Sequence, residues 1–149
     1  MSKNMTNQNY KNHTRFYPLH HFIITPLTLL LLTWTVLKSD FSTSQMTSDS
    51  IYRLLIAFLI VLLPQLSRLY AMKNQDRIIR MELRQRYYQL TGHPFYEKEN
   101  QLQGKQLIAL RFAGDDEFLT IIDSAIERKM DAKEIKKSIK SWKADNHRV

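Results

Sequence analysis

"LLIAFLIVLLPQLSRLYAMKNQDRIIRMELRQRYY", Leu54–Tyr88, changes character halfway along without a glycine to mark the change. Its first part is almost pure hydrocarbon and its second is crowded with arginine. One reading is a single helix that leaves a membrane and continues into water; the other is a buried core helix followed by a soluble one. The rest of the chain decides between them.

The chain has 149 residues, enough for one domain or for one membrane unit with a modest appendage. Its mean hydropathy, −0.37, is that of an ordinary soluble protein. That average conceals a partition, because two apolar blocks fill Leu19–Leu37 and Ile51–Met72 while most of the charge lies beyond them. There is no cysteine, which excludes disulfides, thiolate metal sites and thiol nucleophiles. Net charge is +8.

"FIITPLTLLLLTWTVL", Phe22–Leu37, carries no charge. Extended back through Leu19 it approaches the roughly 20 residues that cross a hydrocarbon core of ~30 Å. Pro26 lies one or two turns in, so the helix starts near Pro18 or bends at Pro26. In the second block Arg53, Gln65 and Arg68 sit toward the ends, where long cations reach the interface. Phe16, Tyr17 and Tyr70 mark one boundary, and Trp34 and Tyr52 the other. A soluble bundle with two fully buried helices is the competing reading. So short a chain has little protein with which to surround them.

Between the blocks, Lys38–Ser50 is polar and rich in serine and threonine, as suits a loop joining antiparallel spans. Lys3, Lys11 and Arg15 precede the first block without an acid, and many cations follow the second. The positive-inside rule then places both termini in the cytoplasm. No small-x-small site follows the first block, so it reads as a retained span. The expected fold is all-α. It comprises a tail over residues 1–17, a transmembrane helical hairpin of spans 18–38 and 51–72 around an outer loop over 39–50, a basic extension of the second helix over 73–91, and a small bundle of short helices over 92–149.

Nothing between Pro64 and Thr91 breaks a helix, and Asp76–Arg80 and Glu82–Arg86 have the spacing of supportive pairs. Gly92 and Pro94 stop it. Lys73, Arg77, Arg80 and Arg84 align along one face, a candidate contact for anionic lipid head groups or an acidic partner. Distance weighs against lipid. Along the membrane normal Arg84 lies ~16 Å beyond Lys73, whereas screening acts over ~8 Å. Ile79, Leu83, Arg86 or Tyr87, and Leu90 form a second, largely apolar face.

Downstream, His93–Gln101 reads as a linker and Leu102–Phe112 as a short helix ended by Gly114. Asp115, Asp116 and Glu117 place acids at the start of the next helix. Phe118, Ile122, Ala125 or Ile126, and Met130 give that helix an apolar stripe. Asp131 and Glu134 have capping-box spacing before a last helix bearing Ile135, Ile139 and Trp142 on one face. Phe118, Ile122, Ile135, Ile139 and Trp142 are the expected core of the appendage, with Trp142 buried against the Phe118–Met130 helix. In the hairpin, Thr25, Thr28 and Gln65 are expected to meet, with Gln65 hydrogen-bonded to Thr25 or to a backbone carbonyl near it, because an amide facing hydrocarbon is costly.

Catalytic and cofactor signals are absent. Gly92, Gly104 and Gly114 are isolated, so no loop cradles a phosphate, and the adjacent His20 and His21 point to different helix faces. No catalytic residue, metal or cofactor is expected. The lysines of the last helix (Lys133, Lys136, Lys137, Lys140 and Lys143) come without any nucleic-acid-binding motif, and a nucleic-acid partner is not expected.

Four blocks, "NYKNHTRFYPLHHF" (Asn9–Phe22), "RLYAMKNQDRIIRMELRQR" (Arg68–Arg86), "QLIALRFAGDDEF" (Gln106–Phe118) and "KEIKKSIKSWKADNHRV" (Lys133–Val149), resemble an uncharacterised bacterial family of small two-span membrane proteins, a domain of unknown function. The resemblance implies an integral hairpin with a helical cytoplasmic end in a bacterial cytoplasmic (inner) membrane. Some members are labelled as transporter permeases, but two spans are too few for a permease. The expected function is a non-enzymatic accessory or scaffold subunit of a larger membrane assembly, in contact with the bilayer and a protein partner. The alternatives are a lipid-responsive regulator working through Lys73, Arg77, Arg80 and Arg84, and, more distantly, a membrane-tethered nucleic-acid binder.

Overall fold

The computed structural model describes residues 8–10, 16–39, 41 and 48–145. Lys3, Lys11, Arg15 and most of the loop after Lys38 lie outside the described residues. Among the described residues the chain is all-helical and has no strand. It comprises α1 (Leu19–Lys38), α2 (Ser48–Thr91), α3 (Tyr96–Glu99), α4 (Gly104–Leu110), α5 (Phe118–Glu127) and α6 (Ala132–Ser138). Both α1 and α2 are long and apolar enough to cross a membrane. The chain divides into two compact units, one over Phe16–Met72 and the other uniting residues 8–10 with 73–145.

In the first unit, α1 opens with π-helical turns over Leu19–Ile24 and becomes a regular α-helix at Thr25. Pro26 explains the change, since it has no N–H to donate and its ring crowds the carbonyl four residues back. A wider turn relieves that crowding. The least exposed face of α1 carries Thr25, Thr28, Leu32 and Thr35, and that of α2 carries Leu54, Ala57, Val61 and Gln65. Thr28 and Ala57 are the most deeply buried of these, as expected where small side chains let two apolar helices approach. Leu27, Thr28 and Trp34 line an apolar groove together with Ile60 of α2. Among the described residues no hydrogen bond joins Gln65 to Thr25 or to a carbonyl near it, although both residues lie on the facing sides of the two helices. The Thr28 hydroxyl donates to the Thr25 carbonyl at 3.0 Å, and Thr33 and Thr35 bond back within α1 in the same way. Thr28, Thr33 and Thr35, which satisfy their hydroxyls on their own helix, need no partner across the hairpin.

In the second unit, α2 ends as Gly92 turns to φ +72° and its amide bonds the Tyr88 carbonyl at 2.8 Å. Ile79, Leu83 and Tyr87 are buried against the bundle, while Leu90, expected on that face, is exposed. Tyr87 stacks on Phe95 with ring centroids 4.8 Å apart. Phe118, Ile122, Ile135 and Ile139 are buried in one core with Leu110 and Phe112.

Three local expectations are corrected. The stretch read as a linker contains the short helix α3. Helix α6 ends at Ser138, and Ile139 is already extended. Trp142 therefore leaves the helical register and pairs with Ala113 in an isolated antiparallel bridge, half-buried with its ring on Phe112 at 5.0 Å rather than on α5. The last core-facing helical residues are too few to continue α6 once the chain can bond to the 112–114 segment.

Candidate functional site

The basic face of α2 is where the sequence pointed, and the fold divides it. Helix α3 is a single turn that presents Tyr96 and Glu99 three residues apart. The Glu99 carboxylate, in a residue only 6 % exposed, receives Arg84 in a two-pronged contact. Arg84 Nε donates to Oε2 at 2.6 Å and Nη2 to Oε1 at 3.0 Å. Arg80 Nε lies 3.4 Å from the same carboxylate. The Arg84 guanidinium also lies 5.0 Å from the centroid of the Tyr96 ring. Hydrogen bonding to Glu99 raises the Arg84 pKa above its ordinary value, against the opposing effect of burial.

A buried carboxylate thus occupies two of the four cations assigned to lipid or partner contact. Lys73 and Arg77 lie outside this clamp and are exposed. The uniform basic stripe is corrected to a clamp and a remainder. The helix-internal pairs change as well. Arg80 turns to Glu99 rather than to Asp76, and Arg86 turns to Asp115 and the Ala113 carbonyl rather than to Glu82. The buried Glu99 carboxylate competes less with water than an acid on a free helix face, and the largely buried Arg86 finds a carbonyl and a carboxylate together, so the tertiary partners win.

Arg86 sits 4.2 Å from the Phe118 ring centroid, which fixes it at the junction of α2 and α5. Beside it an open groove of about 420 Å³ is lined by Glu82, Gln85, Gln89, Arg111, Lys143 and Asp145, among others. Most of its charges answer one another: Arg111 pairs with Asp145 at 3.3 Å, and Asp115 serves both Arg86 and Lys143. Lys98 pairs with Asp123, whose hydrogen bond raises the lysine's pKa.

The chain after α6 straps this region. Gly114 N–H donates to Ser141 O at 2.7 Å and Lys143 N–H to Phe112 O at 2.8 Å. Glu117, expected to serve the α5 dipole, instead accepts the backbone N–H groups of Lys140 and Ser141 at 2.9–3.1 Å. A Cβ on Gly114 would meet Asp116 Oδ1 and stand 2.6 Å from Ser141 Oγ, so any larger residue forces the strap to shift. At the other end of the chain, the Gln8 side-chain oxygen accepts the Asp145 N–H at 2.8 Å.

Among the described residues no group of three or more His, Asp or Glu is placed to hold a metal. His20 and His21 stand edge to face, 5.3 Å between centroids, and His21 Nδ1 approaches the Tyr17 carbonyl at 3.0 Å. The functional residue missed in the sequence is Glu99. Its signal was the Tyr96–Glu99 spacing, but Glu97 and Glu99 flank one lysine, and only the packing of α3 on α2 distinguishes them.

A family model covers residues 5–149, and so takes in both apolar helices, the clamp and the strap. The chain belongs to a family of unknown function (DUF6526). No curated protein and no solved structure matches it. The family therefore brings no catalytic or binding role to transfer onto Glu99 or its arginines.

Proposed function

We propose that this is a non-enzymatic integral membrane protein, an accessory or scaffold subunit of a larger assembly in a bacterial cytoplasmic membrane. Both termini lie in the cytoplasm. The observation that carries the membrane reading is the bareness of α1 and α2, whose apolar residues, Leu30, Leu37, Leu55 and Leu63 among them, stand exposed. A soluble core would cover such surface, and lipid covers it here. What supports a shared side for the termini is that Gln8 and Asp145 belong to one compact unit, as an even number of crossings requires. The scaffold role rests on the bundle, whose Arg80, Arg84, Arg86 and Arg111 are committed to carboxylates of the same fold and build a rigid surface rather than a reactive one.

The lipid-responsive alternative loses ground because Glu99 occupies Arg80 and Arg84. Alkaline carbonate washing and reporter fusions after residue 149 test the membrane reading. The chain should stay in the pellet, and a cytoplasmic reporter should be active while a periplasmic one is not. Co-purification in detergent followed by mass spectrometry tests the scaffold role. A stoichiometric membrane partner that survives high salt is expected. A chain that purifies alone but binds anionic liposomes in low salt would replace the scaffold role with the lipid-responsive one.

A further inference from the structure

Helix α2 has two apolar stripes within the second unit, and the bundle uses only one. Ile79, Leu83 and Tyr87 are buried. Asn74, Ile78, Met81, Gln85 and Tyr88 form the other stripe, and at 3.6 residues per turn its centre lies about 180° around the helix from the first. It is bare: Ile78 is 54 %, Met81 65 % and Tyr88 61 % exposed. Their spacing alternates four and three, which is the heptad rhythm of a helix that packs on another helix.

We infer that this stripe pairs with the same stripe of a second copy, in a parallel, in-register two-helix contact. The charges beside it choose that occupant. Taking Ile78 and Gln85 as a positions and Met81 and Tyr88 as d, Arg77 falls at g and Glu82 at e. They are five residues apart and opposite in sign, which is the spacing that brings g of one helix to e of its parallel neighbour. Symmetry makes the contact twice, Arg77 to the other copy's Glu82 and the reverse. Neither residue has an ion partner within its own chain among the described residues, although Arg80, Arg84 and Arg86 around them all do. An antiparallel pair would set arginine against arginine.

Gln85 at an a position and Asn74 at a d position lower the stability of the pair and fix its register. Two heptads of this composition are marginal in free solution. Confinement supplies what they lack. The parallel orientation rests on the membrane reading above, which holds every copy of α2 the same way up and raises its effective concentration.

The absence of cysteine makes the test direct. Full-length chains carrying Met81→Cys, or Glu127→Cys on the exposed surface of α5, are oxidised mildly in membranes of the expressing cells. Met81→Cys should give a covalent dimer and Glu127→Cys little. In the Met81→Cys chain, Arg77→Glu or Glu82→Arg alone should lower the dimer yield several-fold, and the two together should restore it. Equal cross-linking at positions 81 and 127, no dimer at 81, an adduct with another protein only, or a double reversal that fails to restore the yield would each overturn the inference. The same membranes are washed in alkaline carbonate. Release of the chain overturns the membrane reading, whereas retention without a dimer at 81 overturns the pairing alone.

Discussion

Glu99 and Arg84, fifteen residues apart, are joined by two near-parallel hydrogen bonds that dock the short helix α3 on α2. The carboxylate is almost fully buried, whereas the arginine keeps 39 % of its side chain in water. Removing either partner therefore has unequal consequences. Arg84→Ala leaves a buried charge with only Arg80 nearby and should cost about 2–4 kcal/mol. Glu99→Gln leaves arginines that rehydrate and should cost about 1–2 kcal/mol. Urea unfolding in a Trp34→Phe background, with Trp142 as reporter, measures both, and a reversed order would contradict the asymmetry.

Gly114 is the tightest point of the strap. Gly114→Ala forces a Cβ against Ser141 and should cost about 1–3 kcal/mol. The amides of Gly114 and Lys143 should exchange faster in that variant, because their cross-chain bonds are the ones opened. Adding Ser141→Gly should recover part of the loss by removing the Ser141 atoms the new methyl meets, the Asp116 carboxylate, which it also meets, still having to swing aside.

Phe112 and Trp142 stack on each other but differ in burial. Phe112→Ala should cost about 3–5 kcal/mol, as for a fully buried aromatic. Trp142→Ala should cost about 2 kcal/mol, since a half-buried ring loses less contact and leaves no closed cavity. Equal costs in denaturant titration would mean that the tryptophan is held as deeply as its partner.

Lys129 has φ +50° at the end of α5. It stands where Met130 N–H bonds Ala125 O and Lys129 N–H bonds Ile126 O, a helix ending that favours glycine. Lys129→Gly should stabilise the bundle by up to about 1 kcal/mol, the relief of strain being partly offset by greater freedom in the unfolded chain. A lower urea midpoint in this variant would show that the lysine side chain compensates for its backbone.

Asp131 caps α6 by accepting the Glu134 and Lys133 N–H groups at 2.7 Å. The Glu134 N–H bond, with a smaller contribution from Lys133, holds its carboxyl below the ordinary aspartate pKa. A lowered pKa means that the charged cap stabilises fully above the unfolded value of about 4 and is lost as pH falls through the folded one. The stability difference between the wild type and Asp131→Asn should therefore be constant near neutrality and shrink in acid. Lys98 runs the other way. Its contribution, present below the ordinary lysine pKa, is lost only as pH rises through the raised value. Urea midpoints taken across both ranges check the two signs.

The long-range grammar of this chain was legible in one dimension. Apolar runs of span length, an unbroken helix from the second run to Gly92, a capping box at Asp131 and the stripe through Phe118 and Ile122 all follow from period and local chemistry. Those signals depend on residues a few positions apart, which a helix brings together however the rest folds. What only the tertiary structure decided was partnership. Arg80 and Arg86 each had a helix-internal acid within reach and took a distant one: Arg80 the buried carboxylate of Glu99, and Arg86, itself largely buried, the Ala113 carbonyl and Asp115 together. Trp142 had the register to extend α6 and left it for Ala113, because the loop at Gly114 came close enough to bond its backbone. Among the described residues Gln65 makes no bond to Thr25, whose carbonyl instead accepts the Thr28 hydroxyl of its own helix. Each choice compares a local contact with a remote one, and the remote one has no strength until the chain has folded around it.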